Sequence, residues 1–491
     1  MIRNRLGVLR CPAFPPPGNI RPFMALVSVN PATGKTITRH AAHSKSELEA
    51  RLAAAHTAAA SWKALSPTAR AQHLRAFAAT LHRERADLAA LVTAEMGKPL
   101  PDSLAEIAKC ADALRHYAKH GPAFLRPEIP PSAPRGVEVV PEPLGVVLAI
   151  MPWNYPLWQV VRAAAPALVA GNVLLLKHAS NVTGTALALC ALARRAGLPA
   201  GVLDCLVAPS AAIAPLIADP RVGGVTLTGG TEAGRRVAAL AGQALKPFVG
   251  ELGGSDPYLI FPDADLAAAA TACAAARLVN NGQSCIAAKR FIVHARVADD
   301  FIRLLAVAMA AYQVGDPLAP GTRLGPLARA DLRDELHAQV LRSVKRGARL
   351  VMGGILPEGP GAFYPPTMLA DVVPGMPAAD EELFGPVASV EIAPDTDAMI
   401  AAANRTIYGL GAAIFTRDAR HARAEIAPRI QAGMVFINHA VRSHVAVPFG
   451  GSKASGLGRE LGRPGVLAFT NPKTVWTLAP TRTPAPKRGR R

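Results

Sequence analysis

The chain has 491 residues, half of them apolar, with 54 Lys and Arg against 35 Asp and Glu and a formal charge of +19. That length supports two or three domains around a large core, and the mix of apolar, charged and turn-forming residues is that of a soluble globular protein. No apolar run reaches the ~18 residues of a membrane span. Six scattered cysteines, with no C-x-x-C and no Cys/His cluster, argue against a disulfide scaffold and a structural zinc, so no metal is expected and a reducing cytoplasm is the natural compartment.

The charge is unevenly placed. Residues 1–23 carry four arginines and no acid, and residues 481–491 carry five Lys and Arg and no acid, which leaves +10 for the body. A surplus of this size could attract nucleic acid; the plainer reading is a surface suited to small anions with two solvated tails. The proline in "CPAFPPPGNIRP" argues against an amphipathic targeting helix. Residues 1–23 therefore read as a disordered extension or a mis-assigned start before Met24.

From Val27, "VSVNPATGKTI" reads as a hairpin with a Thr-Gly turn. Ser44 to His120 has helical periodicity, opened by the capping box Ser44-Lys-Ser-Glu47. Arg126 to Gly145 is too rich in proline for a helix and reads as a linker or edge-strand pair. Then come the apolar strands "GVVLAI", "NVLLLK", "LDCLV" and "GVTLTG", separated by helical stretches starting near Leu157, Val182, Ala211 and Thr231. This alternation is the signature of a parallel sheet covered on both faces. A second α/β region follows Gly253, with helices near Leu266–Val279, Asp299–Tyr312 and Leu332–Arg346, and the end of "AFTNPKTVWTL" reads as a strand.

Ligands of an open parallel sheet bind at the carboxyl ends of its strands. Met151-Pro152-Trp153-Asn154 follows the first strand, Lys177 and Ser180 follow the second, and Gly229-Gly230-Thr231-x-x-Gly234 opens a helix after the fourth. Taken singly, the glycine turn is a weak signal and Lys177 an ordinary solvated strand end. Together they point to a nucleotide site with backbone N–H groups facing phosphate. Glu251 stands in the uncharged run before Leu252-Gly253-Gly254; it is either a salt-bridged structural carboxylate or a desolvated general base. Cys285 follows Asn280-Asn281-Gly282 in "NNGQSC" and is either a small buried apolar residue or a nucleophile.

At this point the chain resembles the aldehyde dehydrogenase superfamily. "NPATGK", "PWNYP", "LLKHAS", "TGGTEAG", "ELGGSDP", "NNGQSC", "EELFGPV", "GAAIFTRD", "PFGGSKASGLGRE" and "NPKTV" occur in family order over residues 27–476. "LLKHASNV" and "NNGQSCIAAKRF" look most like the short bacterial succinate-semialdehyde dehydrogenase branch. The resemblance implies Cys285 as catalytic nucleophile, Asn154 with the Cys285 N–H as oxyanion hole, and Glu251 as general base. It implies Lys177 at the adenosine ribose, Gly229, Gly230 and Gly234 under the pyrophosphate, and Glu382 and Phe384 at the nicotinamide riboside. Met151, Pro152, Trp153 and Leu252 border the same cofactor cleft.

The implied fold is α/β, with a Rossmann-like NAD(P)-binding domain (24–125 and 145–252) and a catalytic α/β domain (253–454). Residues 126–144 and 468–480 form a small bridging sheet, followed by a basic tail (481–491). Such a sheet extends a neighbour's, so a homodimer or homotetramer is implied.

The chain departs from the branch at three places. Many NAD-dependent members carry a glutamate where Ser180 stands; serine does not repel a 2′-phosphate, which favours NADP, although Ser180 also tolerates NAD. The branch arginine near the end is Ala446, between Ser443 and Phe449, and the position six before the cysteine is Val279. Arg162 remains as a receptor for a substrate carboxylate or as a helix-face salt bridge. The expected activity is NAD(P)-dependent oxidation of an aldehyde, succinate semialdehyde or a similar small semialdehyde, with Arg162, Ser443 and Phe449 at the substrate. Other aliphatic or aromatic aldehydes remain an alternative. The retained Glu251 argues against a CoA-acylating enzyme, and the Cys285/Asn154/Glu251 set argues against a non-enzymatic binding protein. A small-molecule aldehyde is expected as partner, with no nucleic acid and no membrane.

Overall fold

The computed structural model describes residues 25–478; the readings made for the two ends, 1–23 and 481–491, lie outside them. The apolar runs fold as strands because each is covered on both faces. All six residues of Val173–His178 are buried, as are five of six in Val146–Met151. They belong to a six-stranded sheet, whose order is Gly456–Leu457, Phe248–Glu251, Val222–Thr228, Val146–Met151, Val173–His178, Leu203–Leu206. All neighbours run parallel except the first pair. After Val146–Met151 the chain builds outward on one side through the next two strands, then returns to build on the other. The crevice where strand order reverses opens at the carboxyl ends of Val146–Met151 and Val222–Thr228. Trp153-Asn154 and Gly229-Gly230 follow those two strands, so topology alone brings them together.

Amino-terminal helices cover this sheet. The first, Lys45–Ala64, has the expected capping box: Glu47 N donates to Ser44 Oγ (3.2 Å) and Ser44 N to Glu47 Oε2 (2.7 Å). A cap of this kind is worth about 1 kcal/mol. The long helix Leu100–Phe124 packs against Trp158–Ala170, whose thirteen residues are all buried.

Phe248–Glu251 ends the first sheet's parallel part, and the chain crosses through Gly253-Gly254 into Asp256–Ile260, a central strand of a seven-stranded sheet. That sheet runs Arg349–Met352, Thr367–Ala370, Val387–Ala393, Ala288–His294, Asp256–Ile260, Gly411–Phe415, Met434–Ile437 and is parallel except at Arg349–Met352. Separate apolar clusters fill its two faces. Glu251 therefore ends a strand of one sheet and Cys285 precedes a strand of the other, which puts both at the seam.

The proline-rich stretch leaves this body as Val137–Pro143, antiparallel to Thr470–Trp476. The prolines are tolerated because the ribbon has only two strands, and the far edge of Val137–Pro143 is bridged only at Val139, to Glu128. Among the described residues no helix is long and apolar enough to cross a membrane.

Candidate active site

The helix Leu266–Leu278 stops at three consecutive residues with left-handed backbone: Asn280 (φ 55°), Asn281 (φ 57°) and Gly282 (φ 73°). Asparagine tolerates this conformation better than most residues, but two in succession need holding. Asn281 Nδ2 donates to the Gly97 and Pro326 carbonyls (3.1 and 2.9 Å), and its Oδ1 accepts from Gly325 N (2.8 Å). Asn280 Nδ2 donates to the Asn154 carbonyl (2.9 Å) and the Gln283 carbonyl (3.0 Å). Gly282 must lack a side chain, since a Cβ there would lie 2.3 Å from the Gly385 backbone. This over-determined loop delivers Cys285 to the seam.

Of the five cysteines among the described residues, four are buried and only Cys285 is partly accessible. Burial still pushes its thiol up to about 11; Arg162 and Lys289 oppose that, and Glu382 and Asp256 reinforce it. At neutral pH Cys285 rests as a thiol whose proton must leave as it attacks. Lys289 Nζ donates to the Ser284 and Cys285 carbonyls (3.0 and 2.8 Å) and lies 3.2 Å from Glu382 Oε1, which fixes the peptide on either side of the sulfur. Asn154, buried, donates one Nδ2 hydrogen to the Gln283 carbonyl at 3.1 Å; the amide keeps a second donor. The start of the helix four residues on is fixed from a distance. Glu106 Oε1 accepts from both Leu157 N and Trp158 N (2.8 Å each), while its other oxygen pairs with Lys98 at 2.6 Å in complete burial.

Glu251 is 2% exposed, and neither carboxylate oxygen has a hydrogen-bond partner. Burial, then the nearby Glu460 charge, hold its pKa well above the carboxylate range, against the pull of Arg162 and Arg459. A desolvated carboxylate binds a proton more tightly than an exposed one, which suits a general base.

On the other side of the crevice, Lys177 ends its strand 8% exposed, with no carboxylate paired to it among the described residues. Burial lowers its pKa, and the Cys205 charge opposes that. Ser180 is exposed at the head of the turn Ser180–Val182. The helix Thr231–Gln243 begins at Gly230 with no side-chain cap, and a Cβ on Gly230 would meet nothing within 4 Å. Gly234, one turn on, must be glycine, since its Cβ would meet Leu252 Cδ2 at 2.3 Å. Gly229 N is spent on the Glu251 carbonyl at 3.0 Å. Uncapped N–H groups beside open space, with an unpaired lysine nearby, fit a dinucleotide. Met151 and Leu252 are buried under this wall. Glu382 Oε1 accepts from Gly254 N (3.0 Å), and Phe384 stands edge-on to Trp153 with centroids 5.7 Å apart. Pro152 is half-buried beside Trp153.

The three residues expected at the substrate, Arg162, Phe449 and Ser443, all have partners within the protein. Arg162 Nε pairs with Glu460 Oε2 with both side chains enclosed, and Arg162 Nη2 donates to Thr228 Oγ1 at 3.1 Å. Of the two readings made for Arg162, the salt bridge is present, with Glu460 as its partner. Phe449 is fully buried with its ring 4.7 Å from the Arg162 guanidinium. Ser443 is half-buried, and its Oγ accepts from Lys109 Nζ at 2.7 Å. Lys109, Lys289 and Glu460 escaped sequence reasoning. Lys289, four residues after Cys285, was the one with a local signal; the other two come from distant segments.

The aldehyde dehydrogenase family profile matches residues 24–475. A Mycobacterium tuberculosis protein named succinate-semialdehyde dehydrogenase (NADP+) 1 is 47% identical over 456 residues, covering 92% of this chain and all of that one. A Synechocystis protein named probable succinate-semialdehyde dehydrogenase (NADP+) is 45% identical over 453 residues, with the same coverages. The solved structure of a succinic semialdehyde dehydrogenase from Streptococcus pyogenes in complex with NADP+ superimposes with a TM-score of 0.89 at 34% identity, covering 92% of this chain and 100% of that one.

Proposed function

The chain belongs to the aldehyde dehydrogenase family, and from that premise we propose that it oxidises a short semialdehyde, succinate semialdehyde first, to the carboxylic acid with NADP+. The observation that carries the reading is the meeting of a partly accessible Cys285, the spare amide donor of Asn154 and the unpartnered Glu251 at one seam.

In this reading the Cys285 thiol gives up its proton to solvent as Sγ attacks the aldehyde carbon, and a tetrahedral oxyanion forms. Asn154 Nδ2 and the Cys285 N–H are preorganised donors to it, each worth about 3–4 kcal/mol in such sites. A dinucleotide held by Lys177, Ser180, Gly230, Glu382 and Phe384 would supply the hydride acceptor that turns this thiohemiacetal into a thioester. Glu251 then takes a proton from water, the hydroxide attacks the thioester carbonyl, and the acid leaves as the Cys285 sulfur is released. Glu251 argues for hydrolysis over transfer to CoA, since its place at the seam suits activation of water.

NADP over NAD rests on Lys177 having no paired carboxylate among the described residues and on serine, not an acid, at position 180, together with the names of the relatives. We assign the cofactor unit to 24–125 and 145–252 and the catalytic unit to 253–454. The ribbon of 126–144 and 468–480 joins a second copy in a homodimer or homotetramer; Trp476, 58% exposed on that ribbon, supports this. Its five described cysteines are all free, which suits the cytoplasm. Mixing the enzyme with succinate semialdehyde and either cofactor, and following the absorbance of reduced nicotinamide, tests the reading. Faster turnover with NADP+ is expected; no turnover with either cofactor would overturn it.

A further inference from the structure

The Cys285 N–H assigned to the oxyanion belongs to the peptide that joins Ser284 to Cys285. The other end of that peptide is the Ser284 carbonyl. Of the three buried lysines among the described residues, Lys98 is paired with Glu106 and Lys177 lies in the cofactor crevice. The third, Lys289, is 1% exposed and donates from its ammonium to the Ser284 carbonyl at 3.0 Å.

An ammonium has three donors, and Lys289 has three acceptors. They are the Ser284 carbonyl, the Cys285 carbonyl at 2.8 Å and Glu382 Oε1 at 3.2 Å. The Ser284 carbonyl also accepts from Ala287 N at 3.1 Å, so both of its lone pairs are used. At the opposite end of the same peptide, Cys285 N donates to no carbonyl among the described residues. One peptide is therefore loaded at its oxygen and free at its N–H.

The two ends are electronically joined, because the C–N bond has partial double-bond character. A positive charge on the oxygen draws density out of the nitrogen and makes its hydrogen a stronger donor. Hydrogen bonds in a chain reinforce one another in this way, and a charged donor does so most. Burial keeps water from screening the charge. Glu382 takes only part of it, since the same Oε1 accepts from Gly254 N at 3.0 Å. The other donor of the oxyanion hole lacks such support: Asn154 Oδ1 is buried without a partner.

We propose that Lys289 is a positioning residue that polarises the Ser284–Cys285 peptide and so strengthens the Cys285 N–H as a donor to the oxyanion. This rests on the reading of Cys285 as nucleophile given above and deepens it. Lys289 acts through the peptide and not on the substrate. Reactions of Cys285 that build charge on a carbonyl oxygen depend on it, and reactions of the same sulfur that build none do not.

The test compares two reagents for this sulfur, both without cofactor. In the first turnover of p-nitrophenyl acetate the thiol gives its proton to the buffer, the S–C bond forms, an oxyanion develops, and p-nitrophenolate leaves. Iodoacetamide alkylates the same thiolate by displacing iodide, with no oxyanion. The Lys289 charge also lowers the thiol pKa, but both reagents need the thiolate and both need the sulfur in place. The ratio of the two rate constants cancels those effects and reads the oxyanion hole alone. Mass analysis checks that Cys285 is the residue modified.

Lys289→Met should lower the acylation-to-alkylation ratio by about tenfold or more. Lys289→Gln, which keeps a donor without the charge, should recover part of it. An unchanged ratio in Lys289→Met overturns the role of Lys289 and leaves Cys285 as nucleophile. If neither reagent modifies Cys285 in the parent, the nucleophile reading fails and takes Lys289 with it. If Lys289→Met does not fold, Glu382→Gln decides. Loss of the acid turns the whole ammonium charge on the peptide, so the ratio should rise, and one that stays or falls overturns the proposal.

Discussion

Arg162 and Glu460, 298 positions apart in the chain, form an enclosed ion pair with side chains 2% and 6% exposed, beside the unpartnered carboxylate of Glu251. Glu460 raises the Glu251 pKa and Arg162 lowers it. The pair thus sets the proton affinity of the residue assigned to activate water, in addition to holding the Phe449 loop.

Glu460→Gln should move that balance. The repulsion is removed, and Arg162 turns its full charge on Glu251, so the Glu251 pKa falls. A base works when ionised, so deacylation rises with pH through that pKa, and its acid limb should shift to lower pH in the variant. Stability should fall, by as much as the ~3–5 kcal/mol typical of a broken buried pair, or less where Glu251 replaces the lost anion. The checks are the pH profile of deacylation and a denaturant midpoint. An acid limb that stays put or moves upward contradicts the coupling.

Glu251→Gln should separate the two halves of the reaction. Acylation of Cys285 proceeds, so one equivalent of reduced cofactor appears per active site as a burst, and turnover then stalls at the thioester. Stopped-flow absorbance with mass analysis of the trapped enzyme reads both. Normal steady-state turnover, or no burst, removes Glu251 from deacylation.

Ser180→Glu should invert cofactor choice. A carboxylate beside Lys177 repels a 2′-phosphate and offers the ribose hydroxyls of NAD an acceptor. A shift of about tenfold in the NADP/NAD ratio of kcat/KM, ~1.4 kcal/mol, lies within the reach of one charged hydrogen bond. A parent enzyme that already favours NAD, or a ratio that does not move, would discard Ser180 as the discriminator.

What was legible in the sequence was local. The runs "GVVLAI" and "NVLLLK" contain no polar residue until their ends because both faces of the sheet are covered, so they could be read as buried parallel strands. The residues after them could then be placed at one edge. Ser44 and Glu47 announced a helix start through contacts three residues apart. Arg162 was ambiguous because its fate depends on Glu460, and nothing within a helical turn of either names the other. Lys109 was invisible for the same reason: its hydroxyl partner lies 334 positions away. Asn280-Asn281-Gly282 read as a helix end, but only the structure reveals three left-handed residues held by Gly97, Gly325 and Pro326.

The central claim is that Cys285 is the nucleophile, and its removal tests that most directly. Cys285→Ala, assayed with succinate semialdehyde and NADP+, should lose all but a trace of turnover and show no burst. Its affinity for NADP+, read by fluorescence titration, should stay close to the parent's, because Lys177, Ser180 and the Gly230 helix start are untouched. Turnover above a few per cent of the parent's in a correctly folded, cofactor-binding Cys285→Ala enzyme would contradict the account.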